Sequence, residues 1–117
     1  DVGMANPNAS VVATSAMQAV NMIGVPEASI ILSEAAIYVA KSKKSNSSYV
    51  AINKALEDVK NKDTGEVPMH IRDAPVEEMK KLGYNEGYLY PHDFLGNYVK
   101  QQYLTDKMLG TKYYEDI

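Results

Sequence analysis

The chain has 117 residues, 45% hydrophobic and 23% charged, with a net charge of -3, which describes one ordinary globular domain and excludes a disordered or fibrous chain. A chain of this size buries roughly two-thirds of the surface its unfolded form exposes, so a single domain spanning residues 1–117 is expected. It has no cysteine, which rules out a disulfide framework and a thiolate metal site and points to a reducing, cytoplasmic compartment. No apolar run approaches the ~18 residues of a membrane span and no signal peptide is evident, so a soluble protein with no membrane partner is expected.

Charge is uneven. Residues 1–40 carry three acids and no base, and from residue 41 onward twelve acids balance twelve bases. No face announces itself as a phosphate-binding surface. The opening Asp1-Val-Gly-Met-Ala-Asn-Pro7 has no initiator methionine and reads as a cut through a longer protein.

Asn6 as cap and Pro7 at the first helical position predict a helix over 7–23, stopped by Gly24 and Pro26. Ala9, Val12, Ala13, Ala16, Met17, Val20 and Ile23 form its apolar stripe. Ser10, Thr14, Gln18 and Asn21 lie on the other face, and no charge occurs from Pro7 to Val25. A helix open to water usually carries charge outside, so this one is expected to be covered on both sides, by its own domain or by a missing domain or twin subunit.

A second helix, from Glu27 or Ser29 to Lys41, is nearly all apolar and is expected to form the centre of the core. Lys41 to Ser48 then makes a polar connector whose lysines are read as a solvated loop or a phosphate contact. A third, amphipathic helix near Ser47 to Asn61 presents Ile52, Ala55, Leu56 and Val59 and is expected to close a three-helix core, with Lys54 and Asp58 four apart on its wet side. After a turn at 61–65, Val67, Met69 and Ile71 alternate in a short extended connection. Asp73-Ala-Pro75 is expected to start a short fourth helix that ends at Gly83, with Val76, Met79 and Leu82 facing inward. Val99 to Leu104 and Asp106 to Leu109 are each expected to make a helical turn.

The segment from Gly87 to Leu104 holds four of the nine tyrosines and the only phenylalanine. Gly87, Pro91 and Gly96 punctuate it, so irregular backbone pinned by large rings is predicted. Those rings fill gaps in the core or anchor a contact with another subunit, and a mixture with more of them in the core is expected.

No Gly-x-x-x-x-Gly-Lys-Ser/Thr loop is present to cradle phosphates, and Gly83 and Gly87 read as turn residues. His70 and His92 are too few to suggest a zinc site, and Asp93 beside His92 lacks an activated nucleophile. No catalytic, cofactor-binding or metal residue is assigned, and the chain by itself is expected not to be an enzyme.

Asp1-Val-Gly-Met-Ala-Asn-Pro7, Gly24-Val-Pro-Glu27, Lys44-Ser-Asn46, Asp73-Ala-Pro75, Leu82-Gly-Tyr84, Tyr90-Pro-His-Asp-Phe94 and Gln101-Gln-Tyr-Leu104 together resemble the RarA/MgsA replication-associated recombination ATPases, which are related to the Werner-helicase-interacting ATPase. Leu95 and Asn97 depart from the family pattern, where relatives often carry Pro and Gly, which bears on the local turn. The resemblance covers the whole chain and implies the C-terminal region of a clamp-loader-like AAA+ protein: an all-α helical collar domain with an irregular aromatic-rich tail. It implies oligomerisation, with a tetramer favoured, in a DNA-dependent ATPase of replication-fork maintenance, recombination and DNA repair. ATP and Mg would then bind a missing upstream AAA+ domain, and DNA or single-strand-binding protein would be partners of the full-length protein. The alternatives are a monomeric helical adaptor and a DNA-binding module.

Candidate interface residues are Met17, Gln18, Tyr88, Tyr90, Phe94, Tyr98 and Tyr103, chosen as the uncharged helix face and the aromatic segment. Candidate weak DNA contacts are Lys41, Lys43, Lys44, Arg72, Lys80 and Lys81.

Overall fold

The computed structural model describes residues 1–116, and its regular secondary structure is all helical, with no strand among the described residues. Helix α1 spans Asn8–Ile23, α2 Ala28–Lys41, α3 Ser47–Asn61 and α4 Glu77–Lys81. Single 3-10 turns occur at Gly3–Ala5, Met69–Ile71, Pro91–Asp93, Leu95–Asn97 and Asp106–Met108. The chain divides into two compact units, one of Asp1–Leu56 with the tail that begins at Lys112, the other of Glu57–Thr111.

In the first unit α1 and α2 pack as an antiparallel hairpin. Gly24, at φ 76°, adopts the left-handed backbone that ends α1, and its N–H returns to the Val20 carbonyl. Small residues set the seam: Ala9, Ala16 and Ala28 are the buried apolar side chains of this unit. Asn6 does not cap α1 through its side chain, contrary to expectation. Its Nδ2 donates instead to the Tyr38 hydroxyl at 3.1 Å and to Ser42 Oγ at 3.2 Å, tying the start of α1 to the end of α2. The N-terminal backbone closes on the α2–α3 connection, where the Ser45 N–H donates to the Asp1 carbonyl at 2.9 Å. Ser45 Oγ accepts the Ser47 N–H at 3.2 Å and so supplies one of the capping bonds that α3 needs.

The expected three-helix core is not formed. Ile30, Leu32, Ile37 and Val39 of α2 and Ile52, Leu56 and Val59 of α3 are exposed, and among the described residues no large side chain is fully buried. Alanine seams allow close helix approach but remove little apolar area per residue. Asp58 pairs with Lys62 at 2.9 Å, just past the C-terminal end of α3.

The second unit is mostly loop, held by side chains that bond to backbone. Asp63 Oδ1 accepts the Gly65 N–H at 3.0 Å while Lys107 pairs with Oδ2, and the Thr105 hydroxyl donates to the Thr64 carbonyl. Where an extended connection was expected, Met69–Ile71 turns as a 3-10 helix, and the Asn85 N–H donates to the Met69 carbonyl at 2.9 Å. Helix α4 starts at Glu77, later than Asp73-Ala-Pro75 suggests, because Val76 is extended. Val76, Met79 and Leu82 are exposed, not inward-facing. Val99 to Leu104 is not helical, whereas Asp106–Met108 does make the expected turn. Ala74 and Met108 are the buried apolar side chains here.

Candidate assembly surfaces

Helix α1 presents two faces. Ala9, Val12, Ala16 and Ala19 lie toward α2, and at 100° per residue the opposite face is Ser10, Thr14, Gln18 and Asn21 with Met17 beside it. All five outer residues are exposed, Met17 at 59%. Both positions singled out on this helix, Met17 and Gln18, therefore stand open to a partner.

At the end of the hairpin an open hollow of about 540 Å³ is lined by Asn6, Val12, Glu34, Ile37, Tyr38, Lys41 and Ser42. Its polar node is the Tyr38 hydroxyl, which accepts from Asn8 Nδ2 at 3.1 Å and donates to Asn6 Oδ1 at 3.3 Å. Hydrogen bonds from Asn8 and then Asn6 hold this phenol below the usual tyrosine range, because they favour the ionised oxygen.

The aromatic segment of the second unit is irregular, as its glycines and proline predict. Gly96 (φ 73°) and Asn97 (φ 55°) are consecutive left-handed residues. Asparagine tolerates that region better than most side chains, which accounts for its place at this turn. Tyr90, Tyr98 and Tyr103 are more than half exposed, while Tyr88 and Phe94 keep 39% and 40% of their surface open, so fewer of these rings fill the core than expected. Tyr90 meets His92 with ring centroids 5.1 Å apart.

The backbone beneath these rings is fixed by two neighbouring amides. Gln101 bonds Leu89 and the Tyr103 hydroxyl, and Gln102 Nε2 donates to the Leu104 carbonyl and to Asp106 Oδ1, both at 2.8 Å. His70 Nε2 lies 2.6 Å from the Gln102 carbonyl and donates to it, which assigns this histidine a structural bond. The Gln101-Gln102 pair is visible in the sequence, but its role as a staple is not, since its partners lie in loops without periodicity.

The six basic candidates are divided equally between the two units. Lys41, Lys43 and Lys44 are exposed around the end of α2 in the first unit, and Arg72, Lys80 and Lys81 belong to the second. Arg72 is occupied: Nε donates to the Val67 carbonyl at 2.7 Å, NH2 pairs with Glu66 at 3.2 Å, and the guanidinium lies 5.1 Å from the Tyr84 ring centroid. Bonds to Tyr84 and then Glu66 raise its pKa. Lys80 reaches Glu77 at 3.4 Å. Among the described residues no group of three or more His, Cys, Asp or Glu could hold a metal, and no helix is long and apolar enough to cross a membrane.

The chain is 47% identical over 108 residues to an uncharacterized protein of Thermotoga maritima, 39% over 115 residues to replication-associated recombination protein A of Bacillus subtilis, and 34% over 116 residues to ATPase WRNIP1 of Dictyostelium discoideum. These matches cover 92%, 98% and 98% of this chain but only 17%, 27% and 13% of the relatives, so the chain spans about a quarter or less of their length. The family model described as MgsA AAA+ ATPase C terminal matches residues 1–117 in full. The all-helical fold, the whole-length match and these relatives place the chain in the family of MgsA AAA+ ATPase C-terminal domains.

Proposed function

We propose that this chain is the collar that assembles a DNA-dependent AAA+ ATPase acting in replication-fork maintenance and recombination, in the cytoplasm, and that it joins subunits into a closed tetramer. ATP and magnesium belong to the other part of that protein, as does the phosphate-cradling chemistry this chain lacks. The name of the Bacillus subtilis relative supports the role in replication and recombination, and that of the Dictyostelium discoideum relative supports the ATPase activity. DNA and single-strand-binding protein are partners of the whole protein in this reading.

The observation that supports assembly is unburied surface. The chain exposes 9235 Å², whereas a folded monomer of its mass exposes about 6,300 Å² and two separate bodies of half that mass about 7,600 Å² together. The excess over even the larger reference is ~1,600 Å², about twice what one partner contributes to a standard interface. It is apolar in quality: Met22 and Val25 are 86% and 85% exposed, and Ile30 and Leu95 are exposed with them. Closed symmetric assemblies bury the same patches in every subunit. Light scattering across a concentration series tests this, with a mass near four times 12.9 kDa expected. A mass of 12.9 kDa that persists at high micromolar concentration overturns it.

A further inference from the structure

We propose that the groove along the α1–α2 seam receives one amphipathic helix of a separate partner protein, carrying a base and an acid seven residues apart beside an apolar stripe. This goes beyond the assembly reading and does not depend on it. Two hollows of about 540 Å³ and about 340 Å³ share Val12 and Glu34 and so run into one another along the hairpin. The α2 wall from Ile31 to Ser42 is about 17 Å long at 1.5 Å per residue, which matches three turns of a docked helix. Ala16, Ala19 and Ala35 lie at the floor, buried or half-buried, while Val11 and Ile37 stand exposed at the edges. Small residues below and branched ones at the edges let a helix approach closely and bury its larger side chains.

Charge decides the occupant. Glu34 and Lys41 are the charged residues of the groove, both are exposed, and neither forms an ion pair among the described residues. Seven residues apart, they share one face of α2, two turns from each other. A helix laid along them satisfies both when it sets Lys or Arg opposite Glu34 and Asp or Glu opposite Lys41. This chain does not supply such a helix: α1 has no charge, α3 has no acid and base seven apart, and α4 is too short. A second copy's α2 repeats the pattern, but its own α1 lies alongside and keeps it from entering a groove as a single helix. Asn6, Ser15 and Ser42 also line the groove. Permanent interfaces are more apolar than this, so the lining favours a partner that binds and leaves over the ATPase part of the same protein.

The probe is a fluorescein-labelled helical peptide of about four turns, with a leucine stripe at helical spacing and Lys and Glu seven residues apart beside it. Its binding to the chain is read by fluorescence anisotropy, next to a peptide with Glu at both charged positions and one with alanine in place of the leucines. The Lys/Glu peptide should bind saturably, and the alanine peptide roughly tenfold or more weakly. Glu34→Lys, at an exposed position where helical circular dichroism should not change, should weaken the Lys/Glu peptide roughly tenfold and bind the Glu/Glu peptide instead, with salt reducing both effects. Ala35→Leu, which fills the floor, should weaken both peptides. Binding that does not distinguish leucine from alanine, or that Glu34→Lys leaves unchanged, overturns the docking site. A peptide that dissociates the chain's own oligomer as it binds gives the groove to a second copy, and one that binds this chain but not the full-length ATPase gives it to the ATPase part. Either result overturns the partner helix and leaves assembly standing.

Discussion

Gln101 grips the backbone of Leu89 at both polar atoms, its Oε1 accepting the Leu89 N–H at 3.2 Å and its Nε2 donating to the Leu89 carbonyl at 2.7 Å. The side chain thus does for the start of the aromatic segment what a neighbouring strand would do. Gln101→Ala should lower the unfolding free energy by ~1–2 kcal/mol, the usual cost of removing the partner of two bonded groups. Gln101→Glu should be at least as harmful at neutral pH, since it sets a carboxylate beside the Leu89 carbonyl, and milder in acid. Urea titration gives the energies, and faster hydrogen exchange at the Leu89 amide identifies the site. An unchanged midpoint would remove the staple from the account.

Gly3 sits at φ 51°, and a Cβ there would lie 2.7 Å from the Ser45 carbonyl oxygen. Gly3→Ala should therefore cost ~1–3 kcal/mol through backbone strain, with the clash added. Gly110→Ala is the control, because Gly110 has φ 82° but open space around it and so bears strain alone. Thermal denaturation should rank Gly3→Ala as the more harmful, and equal shifts would show that the Ser45 approach is unimportant.

The Asp63 carboxyl is held below the usual carboxylate range by the Lys107 hydrogen bond first, then by the Gly65 N–H. A depressed folded pKa adds stability that is present above the unfolded value and lost as pH falls through the folded one. The clasp between residues 63 and 107 should thus loosen only in strong acid. In Lys107→Met the Asp63 titration, followed by carboxyl NMR shifts, should move up toward the ordinary aspartate range. No movement would mean that the ion pair does not form in solution.

Tyr98 is 73% exposed, so it contributes little to folding and is free to anchor a partner. Tyr98→Ala should weaken self-association by ~2 kcal/mol, about thirtyfold, with helical content and melting temperature nearly unchanged. Loss of folding without any change in association would return the ring to a structural role.

The chain alone should bind single-stranded DNA weakly, with affinity that falls steeply as salt rises, because Arg72 is engaged within its own unit and the net charge is -3. Sub-micromolar binding at physiological salt would favour a DNA-binding module over an assembly domain.

Local signals made the three long helices legible. The α3 bounds Ser47–Asn61 agree with the reading from periodicity, and Gly24 and Lys41 mark the ends of α1 and α2 to within a residue. Such signals act within a few residues, through propensity, caps and stripe, so one chain carries them. The family was legible too, in short motifs that lie along the whole length. The lack of charge on the outer face of α1 could be seen in the order of its residues, but the cover expected over that face is not supplied within the chain, where Ser10, Thr14, Met17, Gln18 and Asn21 are exposed.

Tertiary structure decided what pattern leaves open. Asn6 had the composition of a cap, yet it bonds Tyr38 and Ser42, more than thirty residues away. Gln101 and the Asp63–Lys107 clasp join loop positions 12 and 44 residues apart, separations at which helical or strand periodicity carries no information. Apolar residues on α2 and α3 have the pattern of a core, but pattern says only that a face avoids water, not what covers it. In this chain that cover is not supplied from within, because its helices meet along alanine seams and leave their larger side chains outside.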